Sequence, residues 1–349
     1  MMPPRPPRGN GPLPPELHRR EAIRTTLATA GTVAAFGSQP ATGQGAPVSE
    51  IILRVSPRSY RMKKSINLWA FPYPERMKIR DCLQLAHDAG FDGIELNYDL
   101  ENDLSPKSSP SRLREIRKMA DEIGIAISGL CSFLYWPYSM TDHDPARRAR
   151  GLELARLMIE AAHELGTPNL LTIAGSTWIP WLPEREPVPI AECDRRARSA
   201  IGALLPLAEK RGVSINIETI WFNGYLTTPA EMNSFVDSFP GKQVGVHFDT
   251  GNVMLFQFPE HWIPVLGKRI RNVHFKEFDK KGTGHTLESF TLPLYGSTNW
   301  PAVMEALEAV GYDGWVTWEL FHPSPHYPEG PIRYCSDALD RILGRPLRA

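Results

Sequence analysis

The sequence has few cysteines and no net charge, and each of these two features argues against certain classes of protein. Its 349 residues include 4 cysteines, with no CxxC pair and no zinc-finger spacing, so neither a disulfide scaffold nor a zinc finger is indicated. The 39 basic and 39 acidic side chains balance, so nothing favours electrostatic capture of nucleic acid or of an anionic membrane. A composition of 42% hydrophobic and 22% charged residues is typical of a globular protein with one substantial core.

The first 63 residues are typical of a leader rather than of a folded domain. MMPPRPPRGNGPLPPELH is rich in proline and arginine and carries no apolar period. The pair Arg19-Arg20, a moderately apolar run over residues 25–37 and the small-residue tract QPATGQGAP follow. This order resembles a twin-arginine export signal and falls short of the ~20 apolar residues of a membrane span. We expect a disordered leader that directs export to the periplasm, with no stable membrane anchor; the alternative is a basic tail on a cytoplasmic protein.

Beyond the leader, short apolar runs alternate with amphipathic helical segments. This alternation is typical of a βα barrel or of a doubly wound sheet. Two segments, AGFDGIEL and VGYDGWVTWEL, repeat one turn in which a glycine ends a helix in the left-handed conformation just before a strand. The predicted strands cover residues 65–71, 92–97, 125–131, 169–175, 213–218, 243–249, 270–276 and 314–320. Eight such units predict a single (β/α)8 TIM barrel over residues 64–349.

Four metal-capable side chains lie at the ends of consecutive predicted strands. They are Glu218 in SINIET, Asp249 in VGVHFDTGN, His274 in IRNVHFKEFD and Glu319 in GWVTWELFH. Taken one at a time they have ordinary explanations: a salt bridge for each glutamate, an Asx turn for the aspartate, a packed core imidazole for the histidine. In a barrel, however, catalytic groups gather at the carboxyl ends of the strands. Together the four predict a site for one divalent cation of the Mn, Mg, Co or Zn type.

The same segments resemble a known family. The succession IET, HFDTGN, VHFKEFD and NWPAVMEALEAVGYDGWVTWEL is similar to the sugar phosphate isomerase/epimerase superfamily, the xylose-isomerase-like barrels, over about residues 65–343. The resemblance implies that Glu218, Asp249, His274 and Glu319 are the metal ligands. It also implies an isomerase or epimerase of a sugar or keto-sugar that works through a metal-chelated enediolate, with Glu218 and Glu319 exchanging protons.

Five further residues are candidates for substrate binding. The resemblance suggests Asn252, where 3-epimerases usually carry a histidine, and Lys276, which follows the histidine ligand. Glu95 ends the second strand and would hold a substrate hydroxyl or orient His274. Trp69 and Trp221 belong to a set of aromatic residues in strand-end loops, which suit the apolar face of a sugar ring or ordinary loop packing equally. His247 is expected to be a packed neighbour of the ligands rather than a fifth ligand.

Several functions remain open on the sequence. A keto-sugar lyase or dehydratase would use the same proton abstraction. A phosphodiester hydrolase of the endonuclease IV type would need more histidines than IAISGLC and NLLTIAGST provide. A non-catalytic sugar-binding barrel predicts degraded ligands, whereas all four are intact. We therefore expect a small carbohydrate substrate and no nucleic acid partner; the oligomeric state stays open between a monomer and a homo-oligomer.

Overall fold

Eight parallel strands close into a barrel in the computed structural model, which describes residues 55–281, 285–321 and 323–347. The order around the barrel is β1-β10-β7-β6-β5-β4-β3-β2, so each strand lies beside its chain neighbour and β1 pairs with β10 to close the ring. The barrel strands are β1 (Lys63–Asn67), β2 (Gly93–Asn97), β3 (Ala126–Cys131), β4 (Asn169–Thr172), β5 (Ser214–Glu218), β6 (Val244–Asp249), β7 (Ile270–Phe275) and β10 (Trp315–Trp318). The predicted fold is confirmed.

Helices follow the strands and cover the outside of the barrel. They are α1 (Ile79–Asp88), α2 (Pro110–Ile123), α3 (Pro145–Leu165), α4 (Ile190–Arg211), α5 (Pro229–Asp237), α6 (Pro259–Leu266), α7 (Trp300–Ala309) and α8 (Glu329–Leu343). The repeated turn is confirmed, since Gly90 and Gly311 have φ of 92° and 76° in the left-handed region. None of the helices in the described ranges combines the length and apolar character of a bilayer span.

Three elements were missed by the sequence analysis. Helix α6 spans only eight residues and carries Pro264, so its apolar spacing is too short to be recognised in the sequence. Between β7 and α7, the two-residue strands β8 (Glu277–Phe278) and β9 (Phe290–Thr291) pair antiparallel. Strands this short show no alternation that a sequence pattern would reveal. We call the segment between β7 and α7, which contains β8 and β9, the insertion. Its residues around β9 lie over the mouth of the barrel and line the cavity there.

The predicted boundary at residue 63 needs a correction. The leader up to residue 54, including the twin arginines, lies outside the described residues. Residues 55–62 lie against the C-terminal helix: the Ser56 N–H donates to the Arg341 carbonyl at 2.8 Å, and the Tyr60 N–H to the Leu343 carbonyl at 3.0 Å. Tyr60 and Met62 are also buried in the core. This segment therefore belongs with the barrel, because it buries apolar side chains there.

Candidate metal and substrate site

The four predicted ligands meet at the carboxyl ends of four neighbouring strands. Glu218 ends β5, Asp249 ends β6, His274 lies in β7 and Glu319 follows β10. Side chains alternate between the two faces of a strand, and these four all point into the barrel. One candidate ligand atom from each lies within 4.8 Å of the others, and all four residues are buried. The structure thus brings together every member of the predicted set.

His274 stands at the centre of the cluster. Its Nδ1 lies 3.6 Å from Glu319 Oε1, 3.9 Å from Asp249 Oδ2 and 4.0 Å from Glu218 Oε1. The imidazole is fully buried, yet Nδ1 has no hydrogen-bond partner in the part of the chain that the structure describes. An unpaired polar atom in such a place is costly unless a ligand satisfies it.

The other ring nitrogen of His274 is held by Glu95. Glu95 Oε2 lies 2.7 Å from Nε2, and the same carboxylate oxygen accepts a hydrogen bond from Asn67 Nδ2 at 2.6 Å. With Nε2 donating to Glu95, Nδ1 is the ring nitrogen that faces the three carboxylates. Glu95 is itself fully buried below the imidazole and does not line the cavity. Of the two roles expected for Glu95, its position matches the one in which it orients His274.

His247 lies next to this pair, deeper in the barrel. Its ring meets that of His274 edge-on at a centroid distance of 4.0 Å, and neither of its nitrogens has a partner within the described residues. Burial, with the positive charge of His274 as a smaller cause, lowers the pKa of His247 well below its usual value. A neutral imidazole packed under His274 agrees with its predicted place as a neighbour rather than a ligand.

Asn252 and Lys276 hold the carboxylates from the side. The Asn252 backbone N–H donates to Asp249 Oδ1 at 2.7 Å, and its Nδ2 donates to Glu218 Oε1 at 3.3 Å. The Lys276 ammonium forms ion pairs with Glu319 and with Asp249, at 3.5 Å from Oδ2 of the aspartate. Both residues also line the cavity described below. Both therefore lie at the cavity beside the candidate ligands, and their role in substrate binding stays a prediction.

Burial and neighbouring charges shift the pKa values of the three carboxyl groups and of His274. Burial, and next the charge of Glu319, raises the pKa of Glu218 well above its usual value. Burial likewise raises the pKa of Asp249, to about 6, although Lys276 opposes the shift. For Glu319 the burial effect is outweighed by Lys276 and His274, so its pKa is lowered. Burial lowers the pKa of His274, but the surrounding carboxylates, Glu95 first, outweigh it and raise that pKa to about 10.

The donor set fits a divalent cation. Ligand atoms lie about 2.0–2.2 Å from Zn²⁺ or Mg²⁺, so two ligand atoms on one ion are at most about 4.4 Å apart. The distances of 3.6–4.0 Å from His274 Nδ1 to the carboxylate oxygens satisfy that limit. Three carboxylates and one imidazole suit Mn, Mg, Co or Zn. The unpartnered Nδ1, fixed from behind by Glu95, is the atom that such an ion would satisfy.

A cavity of about 660 Å³ opens above the cluster. Glu218, Lys276 and Glu319 line its inner end. Most of the rest is apolar, and seven of these residues are aromatic: Trp69, Phe133, Trp136, Trp181, Phe222, Phe290 and Phe321. The aromatic residues come from the loops after β1, β3, β4, β5 and β10 and from the insertion around β9.

The predicted aromatic contacts are partly correct. Trp69 lines the cavity, where its ring stacks on Phe321 at a centroid distance of 5.2 Å. Trp221 does not line it, which corrects the prediction. The Trp221 ring packs on Trp262 and Phe256 instead, and the next residue, Phe222, takes the place at the cavity. Consecutive residues after a strand point in different directions, so a sequence pattern does not decide which of two adjacent rings faces the site.

Three aromatic residues of the cavity were not among the sequence candidates. Phe133 follows β3 by two residues and Phe321 follows Glu319 by two, so their distance from a strand end was a usable signal. Phe290 belongs to the insertion, and nothing in its local sequence indicates that it reaches the mouth of the barrel. Its ring lies 4.8 Å from Lys276 Nζ, and that of Phe321 lies 4.6 Å from the same atom.

Comparison with known proteins places the chain in a family. Residues 83–341 match the family model described as xylose isomerase-like TIM barrel. A curated relative, a ketose 3-epimerase of Arthrobacter globiformis, is 23% identical over 270 residues, which cover 76% of this chain and 82% of the relative.

Solved structures share the fold. A D-psicose 3-epimerase determined in the presence of D-fructose superposes with a TM-score of 0.66 at 20% identity, covering 81% of this chain and 100% of that one. A 3-keto-D-glucoside 4-epimerase from E. coli gives a TM-score of 0.64 at 19% identity, covering 80% and 98%. The match of the family model over most of the barrel settles the classification: the chain belongs to the xylose isomerase-like TIM barrel family.

Proposed function

We propose that this protein is a divalent-metal-dependent isomerase or epimerase of a sugar or keto-sugar, acting through an enediolate. The observation that carries the proposal is the convergence of Glu218, Asp249, His274 and Glu319 around one buried point that opens into a cavity. The similarity to a ketose 3-epimerase supports it. A divalent cation held by these four residues would polarise a carbonyl oxygen and stabilise the negative charge that develops on it.

Glu218 and Glu319 are the proton carriers of this proposal. Both line the cavity, and they come from β5 and from the end of β10, so they approach a bound substrate from different sides. One carboxylate takes the proton from the carbon next to the carbonyl, and the other returns a proton to the opposite face. Without a bound ion the pKa is raised for Glu218, by burial first, and lowered for Glu319, where Lys276 and His274 outweigh burial, so Glu218 has the higher proton affinity of the two.

The neighbouring side chains hold these groups in place. Asn252 keeps one oxygen of Glu218 and one of Asp249 fixed by its two N–H donors. Lys276, buried beside Glu319, supplies a positive charge that favours a developing oxyanion. Glu95 holds Nε2 of His274, so that Nδ1 faces the carboxylates and would bind the ion once it has lost its proton.

Proton exchange tests the proposal directly. The Mn²⁺-loaded protein would be incubated in D₂O with a panel of ketoses and 3-keto-glucosides, and loss of the C–H signal next to the carbonyl would be followed by NMR. We expect Glu218→Gln and Glu319→Gln to lower the exchange rate by about 10²- to 10⁴-fold. Glu308→Gln, at an exposed carboxylate on α7, is the matched control and keeps the wild-type rate. Near-normal exchange in either active-site variant would exclude that residue as a proton carrier.

Export by the twin-arginine route is a separate part of the proposal. It depends on the pair Arg19-Arg20 followed by a weakly apolar run. Replacing both arginines by lysine is expected to keep the protein in the cytoplasm of a host that exports the wild-type chain. Equal export of the two chains in cell fractionation would contradict it.

A further inference from the structure

The cavity has two unlike ends. Its inner end carries the charged groups Glu218, Lys276 and Glu319. From there a chain of ring contacts runs around the mouth. The connected pairs, with their centroid distances, are Phe321–Trp69 at 5.2 Å, Trp69–Phe133 at 5.9 Å, Phe133–Trp181 at 6.2 Å, Trp181–Trp136 at 4.7 Å and Trp181–Phe222 at 5.5 Å. We call these six residues the aromatic wall.

Few polar groups along this wall are available to bind sugar hydroxyls. Ser132 donates its hydroxyl hydrogen to the Tyr98 carbonyl at 2.7 Å. The Asn252 amide is occupied by Glu218 and the Thr219 carbonyl. The other polar lining residues outside the charged end, among those described, are Glu288 and Thr291 of the insertion, and Trp69, Trp136 and Trp181 add one indole N–H donor each. A polyhydroxylated chain laid along the wall would therefore lose hydrogen bonds to water without replacing them.

The outer part of the cavity exposes apolar surface. Phe133 is 44% exposed, Trp181 36%, Leu287 45% and Leu292 41%, and all four line the cavity. Contiguous exposed apolar side chains mark a surface that binds something. Because the aromatic wall and the charged end line one cavity, a molecule that reaches the carboxylates also contacts the wall. A volume of about 660 Å³ is in the range of about 300–1,000 Å³ that takes drug-sized ligands.

We propose that the substrate is a keto-sugar that carries a bulky apolar group, of the aryl glycoside type, rather than a free monosaccharide. Its carbonyl and neighbouring hydroxyl face Glu218 and Glu319, and its aromatic aglycone lies against the aromatic wall. This inference rests on the proposed function for the reacting end only. Burial of one aromatic ring against the wall is expected to improve binding by about 10- to 100-fold.

Two glycosides that differ only in the apolar group test the inference. They are the phenyl and the methyl 3-keto-β-D-glucosides, which share the same reacting ring. Dissociation constants would be measured by calorimetry with the metal-free and the Mn²⁺-loaded protein, and exchange next to the carbonyl by NMR in D₂O. We expect the phenyl compound to bind about tenfold or more tightly than the methyl compound in both forms, and to show the higher kcat/KM.

Variants of the wall show whether the preference arises there. Trp181→Ala and Phe133→Ala remove partly exposed rings, so the fold tolerates them. Each is expected to lower the phenyl-to-methyl affinity ratio by about three- to tenfold. Phe256→Ala is the matched control: Phe256 is 67% exposed and packs on Trp221 but does not line the cavity, so the ratio stays at the wild-type value.

The outcomes separate this inference from the proposed function. Equal affinity and equal exchange for the two glycosides would overturn the inference and leave the proposed function intact. Preferential binding of the phenyl compound without exchange of either would support the inference and contradict the proposed function. Failure of both compounds to bind would overturn the inference. The inference would also be overturned if the wall variants changed their oligomeric state while the phenyl-to-methyl affinity ratio stayed the same. That result would mean that a second copy of the chain covers the wall.

Discussion

Two buried clusters of charge lie in different parts of this barrel, and they differ in the balance between positive and negative groups. On the outer face of β1, the Lys64 ammonium lies 2.7 Å from Asp340 Oδ1 of α8 and donates to Ser336 Oγ at 2.8 Å. One positive charge meets one negative charge, and Ser336 in turn donates to the Ala89 carbonyl. At the mouth, three carboxylates crowd around His274, whose Nδ1 has no partner.

The difference separates a structural ion pair from a site prepared for a ligand. A buried pair needs balanced charge and satisfied donors, because an uncompensated buried charge costs several kcal/mol. The cluster at the mouth keeps an excess of acidic groups with Lys276 as its nearest lysine, and perturbed ionisable groups of this kind are typical of functional sites. Four predictions test this contrast.

The largest effect is expected at the balanced pair. Lys64→Met leaves the Asp340 carboxylate buried without its partner and should lower the free energy of unfolding by about 3–5 kcal/mol. The matched control is Lys63→Met, at the exposed neighbouring lysine, where a change within about 0.5 kcal/mol is expected. Urea denaturation measures both. A loss at Lys64 no greater than at Lys63 would mean that the buried pair is not a structural element.

Added metal should stabilise the protein only through the candidate ligands at the mouth of the barrel. Mn²⁺ at about 100 times its dissociation constant is expected to raise the free energy of unfolding by about 2.7 kcal/mol. The same increment is expected in Lys64→Met, since distant sites contribute independently. Asp249→Asn, which removes one candidate ligand, should gain much less. An equal gain in Asp249→Asn would show that the ion binds elsewhere.

Removing the support behind His274 should weaken metal binding without removing a ligand. Glu95→Gln no longer fixes the imidazole as a carboxylate does, and a 10- to 100-fold loss of metal affinity, about 1.4–2.7 kcal/mol, is expected. Glu277→Gln is the control. Glu277 is an equally buried carboxylate that accepts a hydrogen bond from Trp300 Nε1 at 2.8 Å, and it is not one of the candidate ligands. Calorimetric titration with Mn²⁺ compares the variants. Wild-type affinity in Glu95→Gln would remove Glu95 from the site.

The smallest effect should have the opposite sign to that of Lys64→Met. In the metal-free protein, Glu218→Gln relieves crowding among acidic groups and should raise the free energy of unfolding by about 0.5–2 kcal/mol. Because folding raises the pKa of Glu218, its ionised form destabilises the folded state above its usual pKa. The gain should therefore be small at acidic pH and increase as the pH rises. Thermal unfolding at several pH values measures it; a loss of stability at neutral pH would contradict the contrast.

Much of this molecule was accessible from the sequence because its signals are local. The glycines of AGFDGIEL and VGYDGWVTWEL and the alternation of strand and helix predicted the barrel, and the polar residues at the strand ends predicted the candidate ligands. Helix α6 and the insertion around β9 escaped detection, because neither carries a period long enough to recognise.

Local patterns in the chain were enough to predict the fold and the side chains that meet at the carboxyl ends of the strands, since a parallel barrel brings all strand ends to one rim. Long-range packing, by contrast, places Glu95 behind His274, turns Phe222 rather than Trp221 toward the cavity, and joins rings from distant loops into one wall. These facts depend on strand register and on the directions of loop side chains, which are fixed by contacts between residues far apart in the chain.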